Sequence, residues 1–206
     1  NNIVNKLIGC ENVFGDYLEL HKGWMSVPSK VQLSATKYEK GIFSLEEIIN
    51  DEELKKHTTL FLEGRDIHRY YLDKVEKYVY INDIDNKTKN WHFSPKIILQ
   101  RIVGQNKNKI FATVDLDNRI IFPNANLVNL KKNDDNIKFY LAILNSNLIS
   151  YFYNLYYGES NTNLTKLAFE SLPIPNLDFI DKSDFINLVD KLISLIENLK
   201  LESEKF

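Results

Sequence analysis

The chain has 206 residues, 44% hydrophobic and 26% charged, a globular composition that excludes disorder over most of its length. Only 7 Gly and 5 Pro exclude collagen-like and low-complexity chains, and the single cysteine, Cys10, excludes a disulfide framework or a Cys-based zinc site. With 26 basic against 28 acidic residues the net charge is −2, so a polyanion partner must be argued from where the charges sit.

In chain order, residues 1–45 read as short strands and loops. Val13 to Leu20 alternates imperfectly and meets a turn at Lys22-Gly23. Ser44 caps a short helix, with Glu47 completing a capping box, and Asp51, Glu52 and Glu53 form a solvated face. Leu60-Phe61-Leu62 leads to the segment 63–71. Lys77 to Ile81 reads as a strand, 82–90 as a polar loop, and Lys96 to Val103 as a largely buried strand. Gly104 to Lys109 is a polar turn and Ile110 to Val114 the returning strand. Asp117-Asn118 turns the chain again, before strands at 120–122 and 127–130.

After Asp134 the period becomes helical. Ile137, Tyr140, Leu141, Leu144 and Leu148 recur at three and four, and an aromatic run from Tyr151 to Tyr157 continues the helix. A polar loop from Gly158 to Thr165 and the Leu172-Pro173-Ile174-Pro175 segment follow. A final helix, capped by Ser183 or Asp184, carries Phe185, Leu188, Leu192, Leu195 and Leu199 as a heptad seam. Ile186, Val189, Ile193 and Ile196 form a second stripe, and one helix cannot bury both alone. No apolar run approaches a membrane span. A start without Met and an end inside a helical pattern point to a fragment of a larger protein, and a cytoplasmic origin is the default.

Catalytic motifs are missing. There is no Asn/Asp-Pro-Pro-aromatic motif of an amino methyltransferase, no phosphate loop and no Gly-x-Ser-x-Gly elbow. Histidines 21, 57, 68 and 92 are scattered. Asp115 and Asp117 can bind Mg²⁺ as a pair, which would suit a small nuclease, but they read better as a turn. Elimination leaves a binding module.

Between Asp85 and Asp115 there is no acid. That window holds Lys87, Lys89, Lys96, Arg101, Lys107 and Lys109, with Asn86, Asn90, Gln100, Gln105, Asn106 and Asn108 among them. Lys and Arg neutralise phosphates, and Asn, Gln and Arg read base edges; a solubilising hairpin would have the same composition. Lys96 and Arg101 point to opposite faces of an apolar strand and need partners, Arg101 with Glu63 or Asp66 being one structural solution. Gly64 permits a bend that brings Arg65 and Arg69 to a loop–helix junction, as a phosphate clamp or as Arg–Asp pairs.

Leu62-Glu63-Gly64-Arg65-Asp66-Ile67-x-Arg69-Tyr70 is similar to the Gly-Arg-Asp-Ile-x-Arg-Tyr element of the TaqI-like C-terminal specificity domain. Lys96 to Arg101 resembles its following strand, Tyr140 to Tyr151 its Leu-Asn-Ser helix, and Leu172 to Pro175 the segment before its closing helix. These elements come in the family's order over about residues 13–200, although His21-Lys22-Gly23-Trp24 stands where a Gly-x-x-Thr-Gly pattern is expected. The resemblance implies a target recognition domain of type IIG restriction–modification enzymes, C-terminal to an N6-adenine DNA methyltransferase and similar in role to type I specificity subunits.

The resulting expectation is an α+β fold: a twisted, mostly antiparallel sheet with short helices, then a helical C-terminal third. Residues 1–180 would be the recognition domain and 181–206 a spacer or docking helix. Double-stranded DNA would meet Arg65, Arg69, Lys96, Arg101, Lys107 and Lys109 at its phosphates. Gln105, Asn106 and Asn108 on one side, and Asn161, Asn163 and Lys166 on the other, would read bases. No cofactor or metal belongs to this part; S-adenosylmethionine and Mg²⁺ would serve the parent's catalytic domains. Further partners are the methyltransferase/endonuclease portion of the polypeptide and, through the last helix, a second copy in a homodimer; no membrane is involved. A protein-interaction module docking through that helix is the alternative.

Overall fold

The computed structural model describes residues 2–27, 35–81, 84–102, 110–132, 135–157, 163–175 and 181–203. Helix α1 (Asn2–Ile8) leads to β1 (Asn12–Val13), one helical turn α2 (Phe14–Tyr17) and β2 (Leu18–Lys22). The alternation expected over 13–20 is thus broken by a turn. Asp16 accepts from the Val13 N–H at 2.8 Å, and Phe14 is fully buried beside Phe169 and Tyr140. Next come β3 (Ile42–Ser44) and α3 (Leu45–Ile49), joined by the expected capping box: Ser44 Oγ accepts from Glu47 N–H and Glu47 Oε2 accepts from Ser44 N–H. Helix α4 (Glu52–His57) is capped by Asp51.

Strand β4 (Thr58–Leu62) runs into a 3-10 turn (Gly64–Asp66), then β5 (Ile67–His68), β6 (Tyr71–Leu72) and β7 (Lys77–Tyr80). Part of the expected polar loop is a helix, α5 (Asn86–His92). Asp85 caps it through the Thr88 N–H, and its last turn buries His92. Strands β8 (Lys96–Gln100) and β9 (Ala112–Asp115) pair antiparallel as expected, before β10 (Ile120–Ile121) and β11 (Ala125–Leu130). The single helix expected beyond 137 is two, α6 (Ile137–Leu144) and α7 (Asn147–Tyr157). After α8 (Lys166–Glu170), the proline segment forms β12 (Pro173–Ile174), antiparallel to β1. The closing helix α9 (Lys182–Ser203) is capped by Asp181, two residues before Ser183 and three before Asp184.

Four antiparallel strands in the order β2-β11-β8-β9 make the central sheet; a second sheet, β10-β4-β7-β3, is antiparallel except for the parallel β10–β4 pair. The fold is α+β. Because β8 alternates, Ile97 and Leu99 enter the core shared with α6, α7, α8 and α9, whereas Ile98 enters a second core with Leu62, Ile67, Ile121 and Leu127. Both faces of the central sheet are therefore covered. Phe61, Val79, Ile120 and Phe122 form a third cluster within the second sheet.

Of the two stripes of α9, Val189 is fully buried, with Ile186 and Ile193 packed on the same core. Most of the heptad seam faces outward: Leu188, Leu195 and Leu199 are 54%, 49% and 65% exposed, whereas Phe185 packs edge-on against buried Phe139. Among the described residues no helix is long and apolar enough to cross a membrane.

Candidate nucleic-acid interface

The Gly-Arg-Asp segment is built around close approach. The Gly64 N–H donates to Asn124 Oδ1 at 2.9 Å, and a Cβ at this position would lie 2.6 Å from the Asn124 carbonyl oxygen, so only glycine fits. Asp66 is buried; its carboxylate accepts from the Glu63 N–H at 2.8 Å and from Lys77 Nζ, which also binds Glu63 at 2.9 Å. Arg65 is left outside, its side chain 73% exposed and held by Glu63 at 2.6 Å.

The second half of the segment turns inward. Tyr70 adopts φ +68°, and its N–H donates to the Ala112 carbonyl at 3.0 Å. Asn145 clasps the same residue through both its backbone groups, Nδ2 donating to the Ala112 carbonyl at 2.8 Å and Oδ1 accepting from the Ala112 N–H at 3.2 Å. This clasp occupies the residue at which α6 ends and separates it from α7, and Ser146 Oγ restarts the helix by accepting from the Ile149 N–H. Arg69 donates to the Asn145 carbonyl. The Gly-Arg-Asp and Leu-Asn-Ser elements are thus one knot tied on strand β9. Each buried group left unpaired there would cost about 1–3 kcal/mol.

At the end of β8 a polar edge forms. The Arg101 N–H donates to the Asn124 carbonyl at 3.3 Å, and its guanidinium donates to the Pro123 carbonyl at 3.2 Å. The Arg101 carbonyl accepts from the Leu164 N–H at 3.1 Å, Ile102 bridges Asn163, and Asn126 Nδ2 donates to the Leu164 carbonyl at 3.2 Å. Residues 163–166 therefore lie across the ends of β8 and β11. Asn163 Oδ1 is buried with no partner among the described residues, and Lys166 is 53% exposed, with carboxylates no closer than 3.5 Å. Through Asn124, which touches both Gly64 and Arg101, Arg65 belongs to this same edge.

The model of the TaqI-like C-terminal specificity domain matches residues 59–174, more than half of the chain, from β4 through β12. The chain belongs to this family. It is a restriction–modification specificity domain, and such a domain binds DNA. A search of curated proteins finds no match.

In this TaqI-like domain the expected contact residues divide. Arg65, Arg101, Asn163 and Lys166 share the polar edge. Gln105, Asn106, Lys107, Asn108, Lys109 and Asn161 lie outside the described residues. Lys96 is a correction: it is fully buried, with Nζ 2.7 Å from Asp115 Oδ2 and also donating to the His92 carbonyl, so it cannot reach a phosphate. Arg69 is likewise turned into the scaffold knot. Arg101 does not pair with Glu63 or Asp66, because Lys77 holds both.

Burial pushes the Lys96 pKa down, against the attraction of Asp115. Burial also opposes the Asp115 charge, but Lys96 and the Asp117 N–H outweigh it and hold that carboxyl below the ordinary range. Asp115 binds Arg119 at 2.7 Å as well, and Arg119 binds Asp117, so these acids serve the fold as the turn reading expects. Asn124, Asn126 and Asn145 escape sequence reading, because an asparagine in a turn or helix looks the same whether or not its amide clasps a distant backbone.

Proposed function

We propose that this specificity domain selects a DNA sequence for an N6-adenine methyltransferase, with or without endonuclease activity, carried elsewhere in a type IIG-like polypeptide in the cytoplasm, and performs no catalysis itself. S-adenosylmethionine and Mg²⁺ would belong to that other portion, and residues 1–180 would be the recognition unit. The observation that carries the reading is the polar edge, where three separate segments supply Arg65, Arg101, and the pair Asn163 and Lys166. Guanidinium and ammonium groups suit phosphates, and a half-buried asparagine amide on the same edge suits a base. Gln105, Asn106, Lys107, Asn108 and Lys109, which follow Ile102, extend the same chemistry in sequence.

Selection from a random duplex pool should yield a preferred sequence whose affinity falls steeply with salt. Asn163→Ala should then cost roughly 1–3 kcal/mol against the preferred duplex and little against others. A uniform loss would make Asn163 a scaffold residue, and a pool that yields no preference would remove the recognition reading.

The exposed α9 seam supports a docking role for residues 181–206, toward the catalytic portion or a second copy. Sedimentation distinguishes them. If the chain self-associates through this seam, Leu195→Lys with Leu199→Lys gives a monomer of unchanged stability; a chain already monomeric leaves the seam to the catalytic portion.

A further inference from the structure

We infer that Asn124 is a positioning residue for DNA binding: its amide and its backbone together fix the separation of Arg65 and Arg101, so that both guanidiniums meet the duplex at once. The inference rests on the DNA-recognition reading and adds what sets the spacing of two of its contacts.

Asn124 stands where the two sheets meet. Strand β10 pairs with β4 in one sheet and β11 with β8 in the other, and the chain passes between them through Phe122-Pro123-Asn124-Ala125. The Ala125 N–H closes this turn on the Phe122 carbonyl at 2.9 Å, and proline presets φ at its second position. Asparagine at the third position of a turn commonly serves for its tolerance of positive φ. That reason is absent here, since outside glycine only Tyr70 and Asn118 among the described residues have positive φ. What the position uses is the amide.

Each side of the turn holds one arginine-bearing segment. Toward β4, the Phe122 N–H donates to the Leu62 carbonyl at 2.9 Å, and Asn124 Oδ1 accepts from the Gly64 N–H at 2.9 Å. Toward β8, the Asn124 carbonyl accepts from the Arg101 N–H at 3.3 Å, and the Pro123 carbonyl accepts from the Arg101 guanidinium at 3.2 Å. The same Asn124 carbonyl oxygen lies 2.6 Å from where a Gly64 Cβ would be, so Gly64 and Arg101 abut a single atom. These contacts and ordinary bond lengths keep the Cα atoms of Arg65 and Arg101 within about 13 Å of each other. That span is close to the ~12 Å width of the major groove, so both side chains can grip the backbone of one duplex segment.

The Gly-Arg-Asp segment has other ties. Lys77 holds Glu63 and Asp66 together, and Gln100 Nε2 donates to the Ile67 carbonyl at 2.7 Å. The first is internal to the segment, and the second anchors its far end. Asn124 is the tie next to Arg65, so losing its amide should leave Arg65 exposed but placed independently of Arg101.

Fluorescence anisotropy of the full chain with a labelled mixed-sequence duplex tests this through a double-mutant cycle. Arg65→Gln should weaken binding about eightfold at 0.1 M salt and lower the salt slope by about 0.9, from about 0.9 counterion released per phosphate. Asn124→Ala should do the same, and Arg65→Gln added to it should do nothing more. Asn124→Asp keeps a side-chain oxygen for the Gly64 N–H. Its charge lowers every affinity, yet in that background Arg65→Gln should again cost about eightfold. Urea midpoints give the folded fraction of each variant, and affinities are taken per folded chain. Asn124→Ser, still favoured in turns, takes the place of Asn124→Ala if the alanine variant does not fold.

If the losses from Asn124→Ala and Arg65→Gln multiply, Asn124 is only part of the scaffold and the recognition reading survives alone. The same holds if the unchanged chain binds duplex but Arg65→Gln has no effect. An Arg65→Gln change that is silent with Asn124→Asp as well also overturns the role of the amide acceptor. A chain that binds no duplex even at about 50 mM salt removes both readings together.

Discussion

Lowering the pH from about 7 to about 5 should destabilise the domain by about 4 kcal/mol, a large part of the 5–15 kcal/mol typical of a folded domain. Two buried histidines carry this. Burial drives the His21 pKa down to about 4, outweighing the pull of Glu19, with Lys166 and Lys87 adding to the shift. Burial, then the charges of Lys96 and His21, drive His92 down to about 3 against the weaker pull of Asp115. His92 Nδ1 accepts from the Ile121 N–H at 3.0 Å, which fixes the ring as a neutral acceptor at that nitrogen.

The unfolded chain therefore takes up protons that the folded chain refuses. The stabilisation is complete above about pH 6.5 and is lost progressively below it, down to about pH 4 for His21 and about 3 for His92, at about 1.4 kcal/mol per pH unit for each ring. Hydrogen-bonded carboxylates such as Asp135 and Asp73 have lowered pKa values, so their share is lost only below about pH 4 and leaves the window above it to the histidines. Urea midpoints across this window measure the effect. His92→Asn keeps an acceptor for Ile121 and removes one titration, so the slope should fall toward half. A midpoint that stays level from pH 7 to 5 would contradict the neutral-histidine assignment.

What was legible in the sequence is what depends on near neighbours. The Ser44–Glu47 box joins residues three apart. The alternation of β8 lies within a single strand, and both stripes of α9 are marked by spacing alone. Features that depend on distant partners were hidden. Residues 82–90 look like a loop by composition, but 86–92 fold as a helix because Asp85 caps them and His92 meets Ile121, 29 residues away. Nothing near Asn145 announces that its amide clasps Ala112, 33 residues away, and the helical period of the sequence runs on through the break. On the polar edge, Arg65 and Arg101 stand out by charge, whereas Asn124 and Asn126, which tie that edge together, do not.

The same distinction explains Lys96 and yields the last expected result. The window between Asp85 and Asp115 is acid-free along the chain, yet its closing acid is Lys96's partner in space: antiparallel pairing of β8 and β9 puts Lys96 in register with Asp115. Removing one member of a buried pair leaves the other charge uncompensated and typically costs 3–5 kcal/mol. Asp115→Ala strands the Lys96 ammonium with only the His92 carbonyl, and should cost about 5 kcal/mol in urea denaturation. Lys96→Met leaves Asp115 with Arg119 and should cost about 3 kcal/mol. Lys96→Met combined with Asp115→Asn removes both charges but keeps an acceptor for the Asp117 N–H, and should recover most of that loss. The folded fraction of Lys96→Met should bind duplex with the affinity and salt slope of the unchanged chain, because its ammonium never meets solvent. A stable Lys96→Met protein with a lowered salt slope would return Lys96 to the DNA surface and refute the buried pair.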